Sequence, residues 1–353
     1  MRLLLFDSTS LYPANPLFAE ALQPVGELCG FEHRWFDEDQ YVPRGSLLRR
    51  AIHRVAGRPL GYRRMNRSFR KLCDSFRPDL ILITSGKHLN QQTVHWAKEH
   101  TGAVMVNYAT DDPFNRAVTT KDFYSSISCY DFYACTKRAI IPEVQAAGCP
   151  GAFFVPFGYK PEHHFPERPM TLEERRRFDA DVAFVGGCDG DRVPIMSQIP
   201  RARPGLRLNL FGWFWDRYSS TRPYFRGAAF GRDQRLAFSG AKIVINLVRR
   251  ANRDTHGPRT FEIPACGGFM LTDRTDEQCS FLAEDKEAVY FSSTEEMIDK
   301  IRYYLAHDSA RRRIAEAGYR RITSGKNTYA DRLRTIVATV CGDLMHDQSA
   351  LNR

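Results

Sequence analysis

Two acidic residues eight positions apart, Asp254 and Glu262, lie in a segment that also contains glycines and arginines, RDTHGPRTFEIPACGGFMLTDRTDE. A loop containing Gly257 leads there into a short predicted helix near 261–265. The backbone N–H groups of such a loop can bind a phosphate or a sugar hydroxyl, and a helix carboxylate can accept two ribose hydroxyls. Arg259 can contact phosphate with its forked donors. The alternative is a turn and a helix that only pack, with Glu262 on a solvated face.

A second candidate site follows the first strand predicted in the second half of the chain, in ADVAFVGGCDGDRVPI. That strand ends in Gly186 and Gly187, and Arg192 lies five residues after Gly187. Glycines allow a pyrophosphate to approach the backbone, and an arginine can bind it through two parallel hydrogen bonds. This pattern favours a diphosphate contact, and the alternative is a β-turn with a surface arginine.

Two adjacent carboxylates, Asp111 and Asp112, follow the predicted strand AVMVNY and precede Pro113. At the carboxyl end of a strand, either of them could act as a general base on an acceptor hydroxyl. Repulsion between the two charges would raise one pKa, which suits that role. The alternative is that Asp112 caps a helix while Asp111 is solvated. Lys87 and His88, which follow the preceding strand, are secondary candidates.

The elements that must position these residues alternate between strand and helix along most of the chain. Six short apolar strands are predicted before the proline-rich stretch FGYKPEHHFPERPM at 157–170, and five more after it. Short apolar strands separated by helices are typical of parallel sheets that helices cover on both faces. We therefore predict two α/β domains, 1–158 and 159–326, and a last helix at 327–345 that crosses back to the first domain.

The stretch 253–277, which contains the run RTFEIPACGGFMLTD, resembles the donor-sugar motif of GT-B glycosyltransferases, in which two acidic residues, here Asp254 and Glu262, flank seven others and a run of small residues follows. It is most similar to the CgeB-like glycosyltransferases, grouped with the glycosyltransferase group 1 superfamily. The helical run at 295–322 and the segment NTYADRL from Asn327 resemble the C-terminal part of that family. The resemblance covers about residues 180–340. It implies two Rossmann-like α/β domains that face a central cleft.

The resemblance also implies the roles of individual residues. Glu262 would contact the nucleotide ribose, and Asp254 would lie near the donor sugar. Gly212 and Trp213 resemble a segment near the nucleotide base, where stacking contributes about 1–3 kcal/mol; the alternative is that Trp213 and Trp215 are core or interface aromatics. The residues predicted to bind the donor are Gly187, Arg192, Gly212, Trp213, Asp254, Gly257, Arg259 and Glu262.

The predicted function is therefore transfer of a sugar from a nucleotide-diphosphate sugar to a glycan, lipid-linked or protein acceptor, in cell-envelope or surface polysaccharide synthesis. The first domain would bind the acceptor and carry the catalytic Asp111 or Asp112, which stand where a His-Asp pair is frequent in the superfamily. The resemblance implies neither a permanently bound cofactor nor a metal. Two alternatives stay open: a nucleotide-sugar epimerase of the same architecture, and a non-catalytic polyanion-binding or envelope-binding protein.

The net charge of +10 is concentrated in one segment, since residues 41–77 carry eleven basic side chains and one acid. The remaining forty basic and forty acidic residues balance each other. Arginines alternate there with apolar residues at roughly helical spacing, which predicts a basic helical insertion at 44–77. Such a helix is typical of proteins that bind a membrane surface, nucleic acid or an anionic ligand. A membrane surface fits an enzyme that acts on a lipid-linked or envelope glycan, and no RNA-recognition motif is present. The alternative is a solvated helix face.

Several other classes of protein are disfavoured. The nine cysteines include no CxxC pair, which indicates reduced thiols in a cytoplasmic protein, peripheral at the inner face of the membrane if 44–77 binds there. The longest apolar runs are of strand length, which disfavours a membrane-spanning helix, since such a helix needs about 20 apolar residues. The motifs GxGxxG and GxxxxGK[ST] are absent, which disfavours a dehydrogenase and a P-loop protein. His163 and His164 are adjacent and cannot easily bind one ion together, so we predict no metal site.

Overall fold

The computed structural model describes residues 1–8, 17–42 and 58–351, and its contacts divide the chain into two units. The first unit comprises Met1–Phe157, Ala251–Arg253 and Tyr329–Arg353, and the second comprises Gly158–Arg250 and Asp254–Thr328. Each unit contains one sheet in which all strands are parallel. The part of the predicted basic insertion at 44–57 lies outside the described residues.

The first unit has a six-stranded sheet in the order β2-β1-β3-β4-β5-β6. Its strands are β1 (Arg2–Asp7), β2 (Glu32–Asp37), β3 (Leu80–Thr84), β4 (Val104–Ala109), β5 (Phe132–Cys135) and β6 (Gly151–Phe154). Its helices before the linker are α1 (Leu22–Cys29), α2 (Tyr62–Phe76), α3 (Gln91–Thr101), α4 (Lys121–Ser125) and α5 (Ile141–Ala146). The apolar run LILIT of β3 is buried at every position, because hydrophobic clusters cover both faces of the sheet.

The second unit has a five-stranded sheet in the order β11-β10-β9-β7-β8. Its strands are β7 (Ala180–Val185), β8 (Leu208–Phe211), β9 (Ala241–Asn246), β10 (Met270–Asp273) and β11 (Val289–Phe291). Its helices are α6 (Leu172–Phe178), α7 (Arg192–Ala202), α8 (Arg232–Gly240), α9 (Arg259–Ala265), α10 (Asp276–Phe281), α11 (Thr294–Ala306) and α12 (Asp308–Ser324). Since all strands are parallel, their carboxyl ends share one edge, which is where ligands bind in open sheets.

The last helix, α13 (Tyr329–Leu351), belongs to the first unit. Leu333, Ile336 and Val340 are buried in the same hydrophobic cluster as Leu3 and Leu5 of β1. The apolar positions of α13 therefore complete one face of the first sheet, far in sequence from the strands they cover. Across the described ranges, no helix is long and apolar enough to cross a membrane.

All eleven predicted strands are observed, whereas several short helices were not predicted. The helix α7 contains Pro194 and Pro200, which interrupt the apolar periodicity that sequence reading uses. The helix α6 follows the proline-rich stretch directly and begins with a capping box made by Thr171 and Glu174. Local capping and tertiary packing thus stabilise helices whose apolar periodicity is too short or too interrupted to predict a helix from the sequence.

Candidate functional site

The carboxyl ends of β7 and β8 in the second unit approach each other closely at two glycines. Gly212 follows β8 with a φ of 130°, and a Cβ there would collide with the carbonyl oxygen of Gly186. The same carbonyl accepts a hydrogen bond from Nε1 of the buried Trp215 at 2.8 Å. Gly212 is therefore required for the backbone approach, and its predicted role near a nucleotide base stays a prediction.

The helix α9 starts against the end of β7, where Nε of Arg259 donates to the carbonyl oxygen of Val185 at 3.1 Å. The Nη1 group of Arg259 binds Oε2 of Glu262 one turn further along the helix. Gln234 of α8 donates to the same oxygen at 3.0 Å. Glu262 is buried, so it does not lie on a solvated face, and the predicted donor residues Arg259 and Glu262 are brought together at the carboxyl edge of the sheet.

Burial raises the pKa of Glu262, but the charge of Arg259 and the contacts with His164 and Gln234 outweigh this effect and hold the pKa below its usual range. His164 lies in the segment before α6, with Nε2 at 3.5 Å from Oε1 of Glu262. Burial lowers the pKa of His164 more than the Glu262 carboxylate raises it. The pair at neutral pH is therefore a carboxylate beside a neutral imidazole, and the compensating positive charge is that of Arg259.

A buried polar network joins α9 to the strands beneath it. Oε1 of Gln278 accepts hydrogen bonds from Asn246 at the end of β9, from Thr272 of β10 and from Thr260 of α9, each at 3.0 Å. The amide of Gln278 also donates to the carbonyl oxygen of Asp273 at 2.7 Å. The side-chain amide of Asn246 is thus committed to this network.

The predicted diphosphate contacts differ in how available they are. A Cβ at Gly187 or at Gly257 would meet no atom within 4 Å, so the backbone at both positions faces open space. Arg192 instead donates to the carbonyl oxygens of Gly187 at 3.0 Å and of Leu247 at 2.9 Å. Its guanidinium is therefore buried between the ends of β7 and β9 and is not a surface arginine.

The electrostatic surroundings of Arg192 connect it to the first acidic position of the motif. Burial lowers the pKa of Arg192, and the carboxylates of Asp189, Asp254 and Asp273 oppose this shift. Burial raises the pKa of Asp273, although the backbone N–H of Val248 donates to it at 2.9 Å. The structure thus brings the charges of Arg192 and Asp254 close enough to interact, while their donor contacts stay predictions.

The two tryptophans after β8 have opposite surroundings. Trp215 is fully buried, as the alternative interpretation of this segment stated. Trp213 is 54% exposed and packs against Phe230 with ring centroids 5.8 Å apart. Trp213 therefore presents a supported aromatic surface at the end of β8, which is the geometry that stacking on a base needs.

In the first unit, Asp111 and Asp112 follow β4, and each has its own cation. Oδ2 of Asp111 accepts a hydrogen bond from Nζ of Lys87 at 2.6 Å. Asp112 is bound on both oxygens by Arg253, at 2.6 and 2.9 Å, and its side chain is only 3% exposed. Asp112 caps a turn by accepting from the N–H of Phe114 and does not cap a helix. The like charges expected from the sequence are therefore each neutralised locally.

Residues 251–253 carry groups that sequence reading did not single out. Asn252 is buried, its Oδ1 accepts from the backbone N–H of Asp112 at 3.2 Å, and its Nδ2 donates to Asp111 at 3.3 Å. Arg253 also binds both oxygens of Glu143, at 2.8 and 2.7 Å. These contacts join positions about 140 apart in the sequence, and no local pattern signals them.

A second polar cluster follows β2 and β3 in the first unit. Nδ1 of His88 binds the buried Glu38, and Asn66 of α2 donates to the carbonyl oxygen of His88 at 3.0 Å. Tyr62 binds Asp122, and burial together with that carboxylate raises the pKa of Tyr62 to about 12. His88, a secondary candidate from the sequence, therefore belongs to a hydrogen-bonded group at the carboxyl edge of the first sheet.

No three histidine, cysteine, aspartate or glutamate side chains among the described residues form a group that could hold a metal ion. His163 and His164, the pair weighed as ligands from the sequence, have different partners. The carbonyl oxygen of His163 accepts from Arg235 at 3.3 Å, and His164 faces Glu262. The nine cysteines are present as free thiols.

Comparison with known proteins bears on the family. Residues 192–338 match a family model described as glycosyl transferase-like. The spore protein CgeB of Bacillus subtilis (strain 168) is 22% identical over 265 residues, which is 70% of this chain and 78% of that protein. The residues matched by the family model include α9, the helix that carries the predicted donor motif at Arg259 and Glu262.

Solved structures bear on the fold. The sucrose-phosphate synthase of Thermosynechococcus elongatus superposes with a TM-score of 0.62 at 13% identity, over 99% of this chain and 100% of that one. The Anabaena protein HepE, solved with UDP-glucose, gives a TM-score of 0.60 at 11% identity, over 97% and 100% of the two chains. Together with the family match, these similarities confirm the predicted GT-B fold and the predicted resemblance to the CgeB-like and group 1 glycosyltransferases.

Proposed function

We propose that the protein transfers a sugar from a nucleoside-diphosphate sugar to an acceptor hydroxyl. The observation that carries the proposal is the buried, ionised Glu262 beside Arg259 at the carboxyl edge of the second sheet. A carboxylate held in this way can accept ribose hydroxyls. Positive charge and the open backbone at Gly187 and Gly257 suit a diphosphate close by. HepE, of the same fold, was solved with UDP-glucose, which supports a donor of this class.

In this proposal the domain 159–326 binds the donor and the domain 1–158 binds the acceptor. Arg259 and the N–H groups of the loop at Gly257 offset the charge that develops on the leaving diphosphate, while Asp254 lies by the sugar. Of the two candidate bases, Asp111 is the better placed to accept the proton of the acceptor hydroxyl. Arg253 binds both oxygens of Asp112, whose side chain is 3% exposed. Asp111 accepts from the cation of Lys87 and from the neutral amide of Asn252 at 3.3 Å, and its side chain is 16% exposed. Neither a metal nor a permanently bound cofactor has a step in this reaction.

The test is thermal denaturation of the purified protein with UDP, GDP, ADP and the corresponding nucleotide sugars. A ligand that binds the folded state raises the melting temperature, by about 2.7 kcal/mol of stabilisation at 100 times Kd. We expect a shift with one nucleoside diphosphate that Glu262→Ala abolishes. Glu316→Ala, at an exposed position of α12, is the matched control and should preserve the shift.

Turnover distinguishes the proposed reaction from its alternatives. Release of the nucleoside diphosphate that depends on an added glycan or lipid-linked acceptor supports transfer. Conversion of the donor sugar without any acceptor would instead support an epimerase. A folded protein that binds no nucleotide in the panel would contradict the proposal and favour a non-catalytic binding protein.

We also propose that α2 places the enzyme at an anionic membrane surface, where a lipid-linked or envelope-glycan acceptor is found. Its outer face exposes Arg63, Arg64, Arg67 and Lys71. Its one acid, Asp74, already pairs with Arg77 at 3.0 Å. Each basic side chain near an anionic surface contributes about 1 kcal/mol.

Sedimentation with vesicles tests this surface. We expect binding to vesicles that contain phosphatidylglycerol and none to phosphatidylcholine alone, with a loss as salt rises. Alanine at the four exposed basic positions of α2 should abolish binding, and alanine at Arg312, Arg313 and Arg320, which are exposed on α12, should not. Equal effects of both variants would show that only total charge matters and would contradict a role of α2.

A further inference from the structure

We infer that His164 is a positioning residue, which presents Oε1 of Glu262 to the ribose hydroxyls of the donor nucleotide. The inference rests on the proposed function and deepens it. The preference of the protein for a ribose over a deoxyribose nucleotide then depends on the contact between Glu262 and His164, which lies outside α9.

The protonation state of His164 follows from its partners. The backbone N–H of Lys160 donates to Nδ1 of His164 at 3.1 Å, and a backbone N–H can only donate. Nδ1 therefore carries no proton. The proton of the neutral ring is on Nε2, the nitrogen that faces Oε1 of Glu262 at 3.5 Å. The imidazole is thus fixed as a donor toward the carboxylate by the turn that holds it.

That turn is itself well defined. The backbone N–H groups of His163 and His164 both donate to the carbonyl oxygen of Lys160, at 3.1 and 2.8 Å. The His164 side chain is 12% exposed, so its ring has little freedom to leave Glu262. The carboxylate of Glu262 favours protonation of His164, and the neighbouring Arg259, His163 and Lys160 oppose it electrostatically.

The two oxygens of Glu262 have unequal surroundings. Oε2 accepts from both Gln234 and Arg259, which fix the plane of the carboxylate and compensate its charge. Oε1 has the long contact to His164, which exceeds the usual hydrogen-bond distance. Oε1 is therefore the oxygen with capacity to accept a ribose hydroxyl, and Nε2–H of His164 limits the direction from which that hydroxyl can approach.

Titration calorimetry with UDP and 2′-deoxy-UDP tests the inference. We expect the wild-type protein to bind UDP about tenfold more tightly, since one hydrogen bond to a charged group is worth about 1.5–3 kcal/mol. His164→Asn places an amide oxygen near the Nδ1 position but removes the Nε2 donor, and should reduce the preference to less than about twofold. His164→Gln places an amide nitrogen near the Nε2 position and should preserve it.

His163→Asn, one residue away in the same turn, is the matched control and should bind like the wild-type protein. If His164→Asn fails to fold by circular dichroism, His164→Ala replaces it with the same expectation. Unchanged preference in the folded variants, or a wild-type protein that binds both nucleotides equally, overturns the inference and leaves the proposed function standing. Absence of binding by the wild-type protein to UDP, and to ADP and GDP with their 2′-deoxy forms, would overturn both.

Discussion

Arg253 binds two carboxylates of the first unit from a backbone conformation that arginine rarely adopts. Its φ is 51°, in the left-handed region, where a side chain with a Cβ costs about 1 kcal/mol or more. Such strain persists because bidentate contacts to Asp112 and Glu143 outweigh it. The next residue, Asp254, is the predicted contact of the donor sugar, so the strained arginine immediately precedes a functional candidate.

Replacing Arg253 by Gln should destabilise the protein at neutral pH by about 2 kcal/mol, because Asp112 would be left buried without its cation. Arg253 is itself 38% exposed, which keeps the effect below that of a fully buried pair. The hydrogen bonds of Arg253 lower the pKa of Glu143, so the part of the stabilisation that comes from the Arg253–Glu143 pair is complete above the ordinary carboxyl pKa of about 4.3. It is lost as pH falls through the lowered value.

Chemical denaturation from pH 7 to pH 3 measures this effect, and the difference between wild type and variant should shrink below about pH 4. Arg253→Gln combined with Asp112→Asn should be less destabilised than Arg253→Gln alone. A difference that is independent of pH would mean that packing of the arginine, and not its charge, stabilises the first unit.

Gly187 and Gly212 should respond oppositely to alanine. Gly212→Ala should cost about 3 kcal/mol of unfolding free energy, because its Cβ would meet the Gly186 carbonyl and its φ is positive. Gly187→Ala should leave stability nearly unchanged, because its Cβ meets no atom within 4 Å, yet weaken binding of UDP by excluding the diphosphate. Denaturation midpoints and calorimetric Kd values measure both. Unchanged UDP affinity in Gly187→Ala would remove this glycine from the donor site.

At the scale of elements, Gln278 connects α9 and α10 to β9 and β10. Gln278→Met has a similar volume but leaves Asn246, Thr260 and Thr272 without their shared acceptor. Each buried donor left without a partner costs about 1–3 kcal/mol, although Asn246 and Thr272 also bond each other at 3.1 Å. We expect a loss of about 3 kcal/mol by urea denaturation, together with weaker UDP binding as α9 loosens. Gln92→Met, on the exposed face of α3, should change neither.

Most strands could be predicted from sequence because they are local runs of apolar residues, such as ADVAFV in β7. The strand β2 (EHRWFD) is largely polar, and Phe36 is its one buried residue. The motif at Arg259 and Glu262 could be recognised because it is also local, since both lie on one turn of α9. The surroundings of Glu262 could not be predicted, because Gln234 and His164 come from other elements. The burial of Arg192 likewise depends on the carbonyl of Leu247, which is distant in sequence. A motif whose residues are close in sequence can therefore be predicted from one sequence. The residues that contact it and shift its pKa values cannot, because tertiary packing brings them together.

At the scale of the whole molecule, the basic excess and the predicted donor-binding residues belong to different units. The basic excess lies in 41–77 of the first unit, whereas the residues predicted to bind the donor, Gly187, Arg192, Gly212, Trp213, Asp254, Gly257, Arg259 and Glu262, lie in the second. Each unit also has its own hydrophobic core. A nucleotide should therefore act on the stability of one unit, and an anionic surface should act on the other.

Hydrogen exchange with and without saturating UDP tests this division. Binding at 100 times Kd stabilises the donor-binding unit by about 2.7 kcal/mol, which slows amides that exchange through its unfolding by about a hundredfold. We expect that protection in β7, β9 and α9, and little change in β1, β3 and β4. Equal slowing in both sheets would show that the units unfold together. Protection confined to the first sheet would contradict the assignment of the donor to the second unit, because a ligand stabilises the part of the fold that it binds.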